Sequence, residues 1–191
     1  MNDPIIGIVK GDPKQPGIYG IVNRAIIKAT SKPGAPAWAT HVRLSMRRPG
    51  SQDYFTFEET IDFETGKLIP FSGVLETPGI VPADLYRTPV MEWAPGELLD
   101  LWTFCKMEQW IGRGYNILQL LADAIIFKTR PIWEKLNYVP FAHHDLSAVC
   151  SAFVGEGIAG ASTRYFDKED AAMLVPQDFV TMAGFQDTVL T

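Results

Sequence analysis

Residues 40–63, THVRLSMRRPGSQDYFTFEETIDF, contain the pattern that decides the fold. Two β-type runs, Thr40–Met46 and Tyr54–Phe63, flank Arg48-Pro49-Gly50-Ser51, a sequence typical of a turn. The two runs therefore predict a hairpin of paired antiparallel strands.

The remaining elements are predicted outward from this hairpin by apolar spacing and by glycine and proline breaks. Further strands are expected at Ile5–Val9, Lys67–Phe71 and Val90–Trp93. Helices are expected over Ile18–Thr30, Pro95–Ile111 and Asn116–Phe127, from Asp145 or Ser147 to Ile158, and as a short turn at Val175–Phe179. Because strands come first and helices later, without regular alternation, the pattern predicts an α+β fold with an antiparallel sheet.

The composition limits the classes of partner and site. A chain of 191 residues with 47% hydrophobic residues predicts one globular domain. The net charge of −5 argues against nucleic acid as a partner, and the longest apolar runs are too short to form an integral membrane segment. The start at Met1-Asn2-Asp3-Pro4 has no basic segment, which predicts a cytoplasmic location. Two cysteines outside any C-x-x-C pair argue against structural zinc and indicate free thiols.

Cys150 and His41 are the candidates for chemistry. A helix beginning near Cys150 would direct backbone N–H groups and a positive dipole at the sulfur, which lowers a thiol pKa. The ordinary interpretation is a small core residue, since Cys150 stands among Ala148, Val149 and Phe153. Likewise, a lone histidine at the start of a strand is more often structural than catalytic.

Four short motifs in one order resemble those of the circularly permuted papain-like hydrolases of NlpC type. This group includes the YiiX proteins and, more distantly, lecithin retinol acyltransferase. The matching segments are Pro36–Leu44 with its "s-H-v-g-i" strand, Gly112–Asn116 with "G-x-x-Y-d/n", Val149–Val154 with "C-S-e-l-v", and Leu174–Phe179 with "x-P-x-d-l". The sequence departs from the pattern at Arg43, where glycine is common, and at Ala152, where an acidic residue is frequent.

The resemblance implies a permuted papain-like fold, with a sheet packed against the helix that carries the cysteine at its N-terminus. It implies acyl transfer without a cofactor: His41 takes the proton of Cys150, and the thiolate attacks a carbonyl. The Cys150 N–H and, by resemblance, Tyr115 are expected to hold the oxyanion. The implied substrate is an amide or peptide, such as a cell-wall peptide. The alternatives are an acyl lipid or thioester and an inactive binding module. An acyl chain needs an apolar groove, which Trp93, Trp102, Trp110 and Trp133 would either line or, as core residues, leave to other side chains.

A third residue is expected to orient the imidazole. The family takes it from the strand after the histidine strand. Period-two alternation puts Glu59 on the face of Phe55, Phe57 and Ile61 as a single charge among core residues, so we prefer Glu59. If a bulge shifts the register, Glu58 takes this role instead.

Other residues receive secondary interpretations. His143 and His144 precede the Cys150 helix and are rivals of His41, although a loop role is more typical. Cys105 lies on a tryptophan-rich helix face and is predicted to be packing. Arg43, on the face of His41, is a candidate for binding an acidic group of the substrate.

Overall fold

A six-stranded antiparallel sheet organises the chain in the computed structural model, which describes residues 3–31, 35–61, 72–111, 150–166, 168–171 and 174–190. The strands lie in the order β4-β3-β2-β1-β5-β6. They are β1 (Ile5–Lys10), β2 (Ala39–Arg47), β3 (Tyr54–Ile61), β4 (Ser72–Pro78), β5 (Leu85–Pro89) and β6 (Phe185–Thr188).

The β2–β3 hairpin is confirmed. Its ladder runs from the pair Arg47–Tyr54 to the pair Leu44–Phe57. The turn is closed by the Arg48 N–H donating to the Asp53 carbonyl at 2.9 Å, and Gly50 supplies the positive φ of 77° that the reversal needs. Alternation then assigns Leu44 and Phe57 to the core face.

Two helices match the prediction, the helix of Cys150 ends at Ala161 instead of Ile158, and a short helix at Lys168–Ala171 was not predicted. The described helices are α1 (Ile18–Thr30), α2 (Pro95–Ile111), α3 (Cys150–Ala161) and α4 (Lys168–Ala171), with a 3₁₀ turn at Asp178–Val180. The bounds of α1 and α2 are those predicted, and α2 begins with the Glu97 carboxylate accepting the Ala94 N–H at 2.8 Å. Helices with an antiparallel sheet confirm the α+β class.

The core lies between β2–β3 and the pair of helices α2 and α3. Trp102 meets the edge of Phe57 with ring centroids 5.2 Å apart, and Phe104 of α2 stacks on Phe153 of α3 at 5.7 Å. The two helices approach closely because Gly157 has no side chain: a Cβ there would lie 3.0 Å from Leu101 and Phe104. This packing seats α3, and with it Cys150, against the sheet.

Some predicted elements need correction. The strand expected at Val90–Trp93 is wrong: the strand is Leu85–Pro89, Val90 and Met91 are exposed, and Trp93 packs in the core. The expected strand Lys67–Phe71 and helix Asn116–Phe127 lie outside the described residues. Within the described part, no helix is long and apolar enough to cross a bilayer.

Candidate active site

His41 lies beside a bulge near the start of β2. Val9 pairs with His41 and Lys10 pairs with Ala39, so Thr40 is the extra residue. Thr40 packs over Gly11, where a Cβ would come within 2.2 Å of its methyl group. The preceding backbone is also held, because the Gln177 side-chain oxygen accepts the N–H groups of Trp38 and Ala39 at 2.9 and 3.2 Å. The bulge thus has a fixed position at the sheet.

Glu58 is the carboxylate that meets His41. The His41 Nε2 atom lies 2.9 Å from Glu58 Oε2, and the two side chains are 21% and 13% exposed. This contact lies on the face of the sheet opposite the core, which is called the outer face. Ser45 and Thr56 pair on that face, with their hydroxyl oxygens 2.8 Å apart. Two residues further along each strand, alternation places Arg43 and Glu58 there as well.

The preference for Glu59 as the partner of His41 is therefore wrong. Its burial was predicted correctly, since Glu59 is 1% exposed and shares the core face with Phe57. The error lay in expecting the buried carboxylate to be the one that meets His41. Val42, Leu44 and Met46 occupy the core side of β2, so His41 meets the other glutamate.

Cys150 is the first described residue of α3, and three groups act on its sulfur. His41 and the backbone N–H groups of Val42 and Ser151 each favour the charged form of the thiol. Val42 lies beyond the Leu44–Phe57 end of the β2–β3 ladder, which leaves its N–H to the sulfur. Since Glu58 contacts Nε2, the imidazole presents Nδ1 to Cys150.

The electrostatics of the three side chains favour an ion pair. Burial lowers the pKa of His41, but attraction to Cys150 and Glu58 outweighs it and raises that pKa to about 9. Burial raises the pKa of Cys150, but the His41 charge and the hydrogen bonds to the sulfur lower it below 9.0 overall. These shifts favour the thiolate and imidazolium forms of the two side chains, the charge state of an activated cysteine.

Glu58 stays ionised within this arrangement. Burial raises the pKa of its carboxyl, whereas hydrogen bonds and charges from His41 and Arg43 lower it to about 2. The Arg43 Nε donates to Glu58 Oε2 at 2.6 Å, and its Nη1 donates to the Pro82 carbonyl at 2.7 Å. Arg43 therefore contacts the same carboxylate oxygen that contacts His41. Its expected binding of an acidic substrate group stays a prediction.

Cys105 provides an internal contrast. Burial in the core and the nearby Glu108 raise the pKa of this thiol far above its usual range. Cys105 is fully buried, as the packing interpretation predicted, and Cys150 is 3% exposed. The thiols are therefore distinguished by charge environment more than by burial, and solvent meets the site on the side of His41.

Three of the predicted site residues, Tyr115, His143 and His144, lie outside the described residues. Among the residues that are described, no group of three or more His, Cys, Asp or Glu side chains is placed to hold a metal ion. A cavity of about 770 Å³ lies at the far end of β2, between the hairpin turn at Arg48 and the start of α2, and His41, Glu58 and Cys150 are not among its lining residues.

Reasoning from sequence missed two contacts of the candidate site. The Gln177 side chain accepts hydrogen bonds from Trp38 and Ala39, which are 139 and 138 positions away, so local patterns give no sign of this contact. The availability of the Val42 N–H depends on where the β2–β3 ladder ends, which is set by pairing between strands and not by a local pattern. Comparison of the chain with known protein families, curated proteins and solved structures found no match.

Proposed function

We propose that this protein is a cysteine hydrolase that cleaves an amide or peptide bond, with Cys150 as nucleophile, His41 as acid and base, and Glu58 as the orienting carboxylate. The observation that carries the proposal is one imidazole joined to two partners: Cys150 on one side and Glu58, at 2.9 Å from Nε2, on the other. A histidine held in this way has a defined direction and proton position.

The chemistry proceeds from the ion pair. The Cys150 thiolate adds to the substrate carbonyl carbon, and the resulting oxyanion accepts a hydrogen bond from the Cys150 N–H. The imidazolium gives its Nδ1 proton to the leaving amine as the carbon–nitrogen bond breaks, which leaves an acyl-enzyme. Neutral His41 then takes a proton from water, whose oxygen attacks the acyl carbon. Collapse of the second intermediate breaks the carbon–sulfur bond and releases the carboxylic acid, which leaves the Cys150 thiolate beside the imidazolium formed by the proton from water.

Glu58 supports both halves of this cycle. Its carboxylate accepts a hydrogen bond from the Nε2–H group whether the ring is neutral or charged, so it keeps Nδ1 directed at the sulfur. It also stabilises the charged ring. Tyr115, which the family resemblance offers as a second oxyanion donor, belongs to this proposal on the resemblance alone.

Acyl-lipid or thioester chemistry would need an apolar groove beside the site. Trp93 is 3% exposed and stacks on Tyr165, with ring centroids 5.7 Å apart. Trp102 meets the edges of Phe55 and Phe57. Trp93 lies in the core and Trp102 packs against it, partly buried, and the side chains of Trp110 and Trp133 lie outside the described ones. The amide substrate is proposed from the family resemblance.

Selective alkylation tests the proposal. We expect iodoacetamide at about pH 6 to modify Cys150 much faster than Cys105, because the pKa of Cys150 is lowered and that of Cys105 is raised. His41→Ala should remove the difference, and labelling in denaturant should make the two cysteines equal. Equal and slow labelling of both in the folded protein would favour an inactive binding module.

A second measurement concerns acyl transfer itself. Incubation with activated esters and aminoacyl amides, followed by intact-mass analysis, should reveal an acyl adduct on Cys150. Cys150→Ala should abolish the adduct, whereas Cys105→Ala should retain it. Turnover near the wild-type rate in Cys150→Ala would exclude the mechanism.

A further inference from the structure

We propose that Arg43 is a positioning residue of this site, which holds the Glu58 carboxylate against His41 by tying it to the Pro82 carbonyl. The inference rests on the proposed function and extends it by a residue outside the Cys150–His41–Glu58 set.

The geometry of Arg43 is that of a bridge. Its Nε donates to Glu58 at 2.6 Å while its Nη1 donates to the Pro82 carbonyl at 2.7 Å. A guanidinium presents its donors in fixed directions, so one side chain that satisfies two acceptors also fixes their separation. Oε2 of Glu58, the oxygen that receives Arg43, is also the oxygen 2.9 Å from His41. The orientation of the Arg43 side chain therefore determines the position of the Glu58 oxygen that contacts His41.

Pro82 is a firm anchor because its neighbours are bound to the sheet. Thr56 Oγ1 donates to the Gly79 carbonyl and accepts the Val81 N–H, the Ala83 N–H donates to the Tyr86 hydroxyl, and the Asp84 N–H donates to the Ile8 carbonyl. The segment lies close to the outer face of β1, where a Cβ on Gly7 would be 3.2 Å from the Ala83 Cβ. Arg43 thus connects a fixed loop to the orienting carboxylate of Glu58.

Arg43 also acts through charge. Burial opposes ionisation of Glu58, while hydrogen bonds from His41 and Arg43 favour it. Replacing Arg43 with glutamine would keep a polar side chain of moderate length but remove the cation. The Glu58 carboxyl would then take up protons at higher pH and lose its fixed direction, and the hold on the His41 ring would weaken.

The test is a carboxyl titration by ¹³C NMR on protein labelled at glutamate, with the Glu58 signal assigned by its loss in Glu58→Gln. Wild type is compared with Arg43→Gln, Arg43→Lys and Arg48→Gln. The last variant is a matched control, because Arg48 is exposed at the hairpin turn. The alkylation rate of Cys150 at about pH 6 is measured on the same samples.

We expect Arg43→Gln to raise the pKa of Glu58 by about one to two units and to slow Cys150 alkylation about tenfold. Arg43→Lys should restore most of the Glu58 pKa but only part of the alkylation rate, because an ammonium does not present the two donors as a rigid fork. Arg48→Gln should resemble wild type in both.

Two results would overturn the proposal: a Glu58 pKa unchanged in Arg43→Gln, or a raised Glu58 pKa with wild-type alkylation of Cys150. If wild-type Cys150 reacts no faster than Cys105, the proposed hydrolase fails. The Glu58 titration still decides in that case whether Arg43 controls the carboxylate.

Discussion

Replacing Glu58 with glutamine should lower the pKa of His41 while leaving the fold intact. That pKa is about 9, against 6.5 for an unperturbed histidine, and Glu58 is one of the two groups that raise it. A hydrogen bond to a charged group contributes about 1.5–3 kcal/mol, and one pKa unit corresponds to about 1.4 kcal/mol. Loss of the Glu58 charge should therefore bring the His41 pKa down to about 7–8.

Long-range ¹H–¹⁵N spectra of the histidine rings measure this directly across pH. The chain contains three histidines, and His41→Asn identifies the signal that belongs to His41. Glu59→Gln is the matched control. The Glu59 carboxyl is buried on the opposite face of β3, so its loss should leave the His41 pKa near 9. A shift in Glu59→Gln with none in Glu58→Gln would refute the assignment of Glu58.

Stability should depend on pH through the same groups. The pKa of Glu58 is depressed to about 2 from 4.5, so its contribution to folding is present above about pH 4.5 and is lost as the pH falls toward 2. The raised pKa of His41 and the lowered pKa of Cys150 act on stability with opposite signs as the pH rises, because His41 holds a proton that Cys150 releases. Urea unfolding across pH should therefore show the acid limb of Glu58, and an acid limb as steep in Glu58→Gln as in wild type would contradict it. Among the glycines of α3, Gly160→Ala should raise the free energy of unfolding by about 0.5–1 kcal/mol, since a Cβ there meets open space. Gly155→Ala should lower it, because its Cβ would lie 2.9 Å from the Ala171 carbonyl oxygen, and equal effects of the two in thermal unfolding would argue against the packing of α3.

Local patterns predicted the elements that have strong local signals. Alternation and a turn sequence identified β2 and β3, and Pro95 with apolar spacing identified α2 to its last residue. By contrast, β6 has the sequence FQDT, which does not alternate in hydrophobicity, and it exists because it pairs with β5 almost 100 residues away. The apolar pair Val90–Met91 has the opposite effect: it predicts a strand, but both side chains are exposed just after the strand that ends at Pro89.

The site shows the same division between local and long-range information. The separate motifs named Cys150 and His41, and period-two alternation correctly buried Glu59. Alternation within one strand does not say which residues of the next strand share its face. That information lies in the Ser45–Thr56 register, which puts Glu58 beside His41. Arg43 was assigned to the right face, but its ion pair with Glu58 depends on the same register.

The charge state of Cys150 is the most direct measure of the proposed site. The ultraviolet absorbance of the thiolate, taken as wild type minus Cys150→Ser, reports that state at each pH. We predict that the thiolate forms well on the acid side of 9.0 and that His41→Ala moves its formation to higher pH. A thiolate that appears only at or above pH 9, unchanged by His41→Ala, would contradict an activated Cys150–His41 pair.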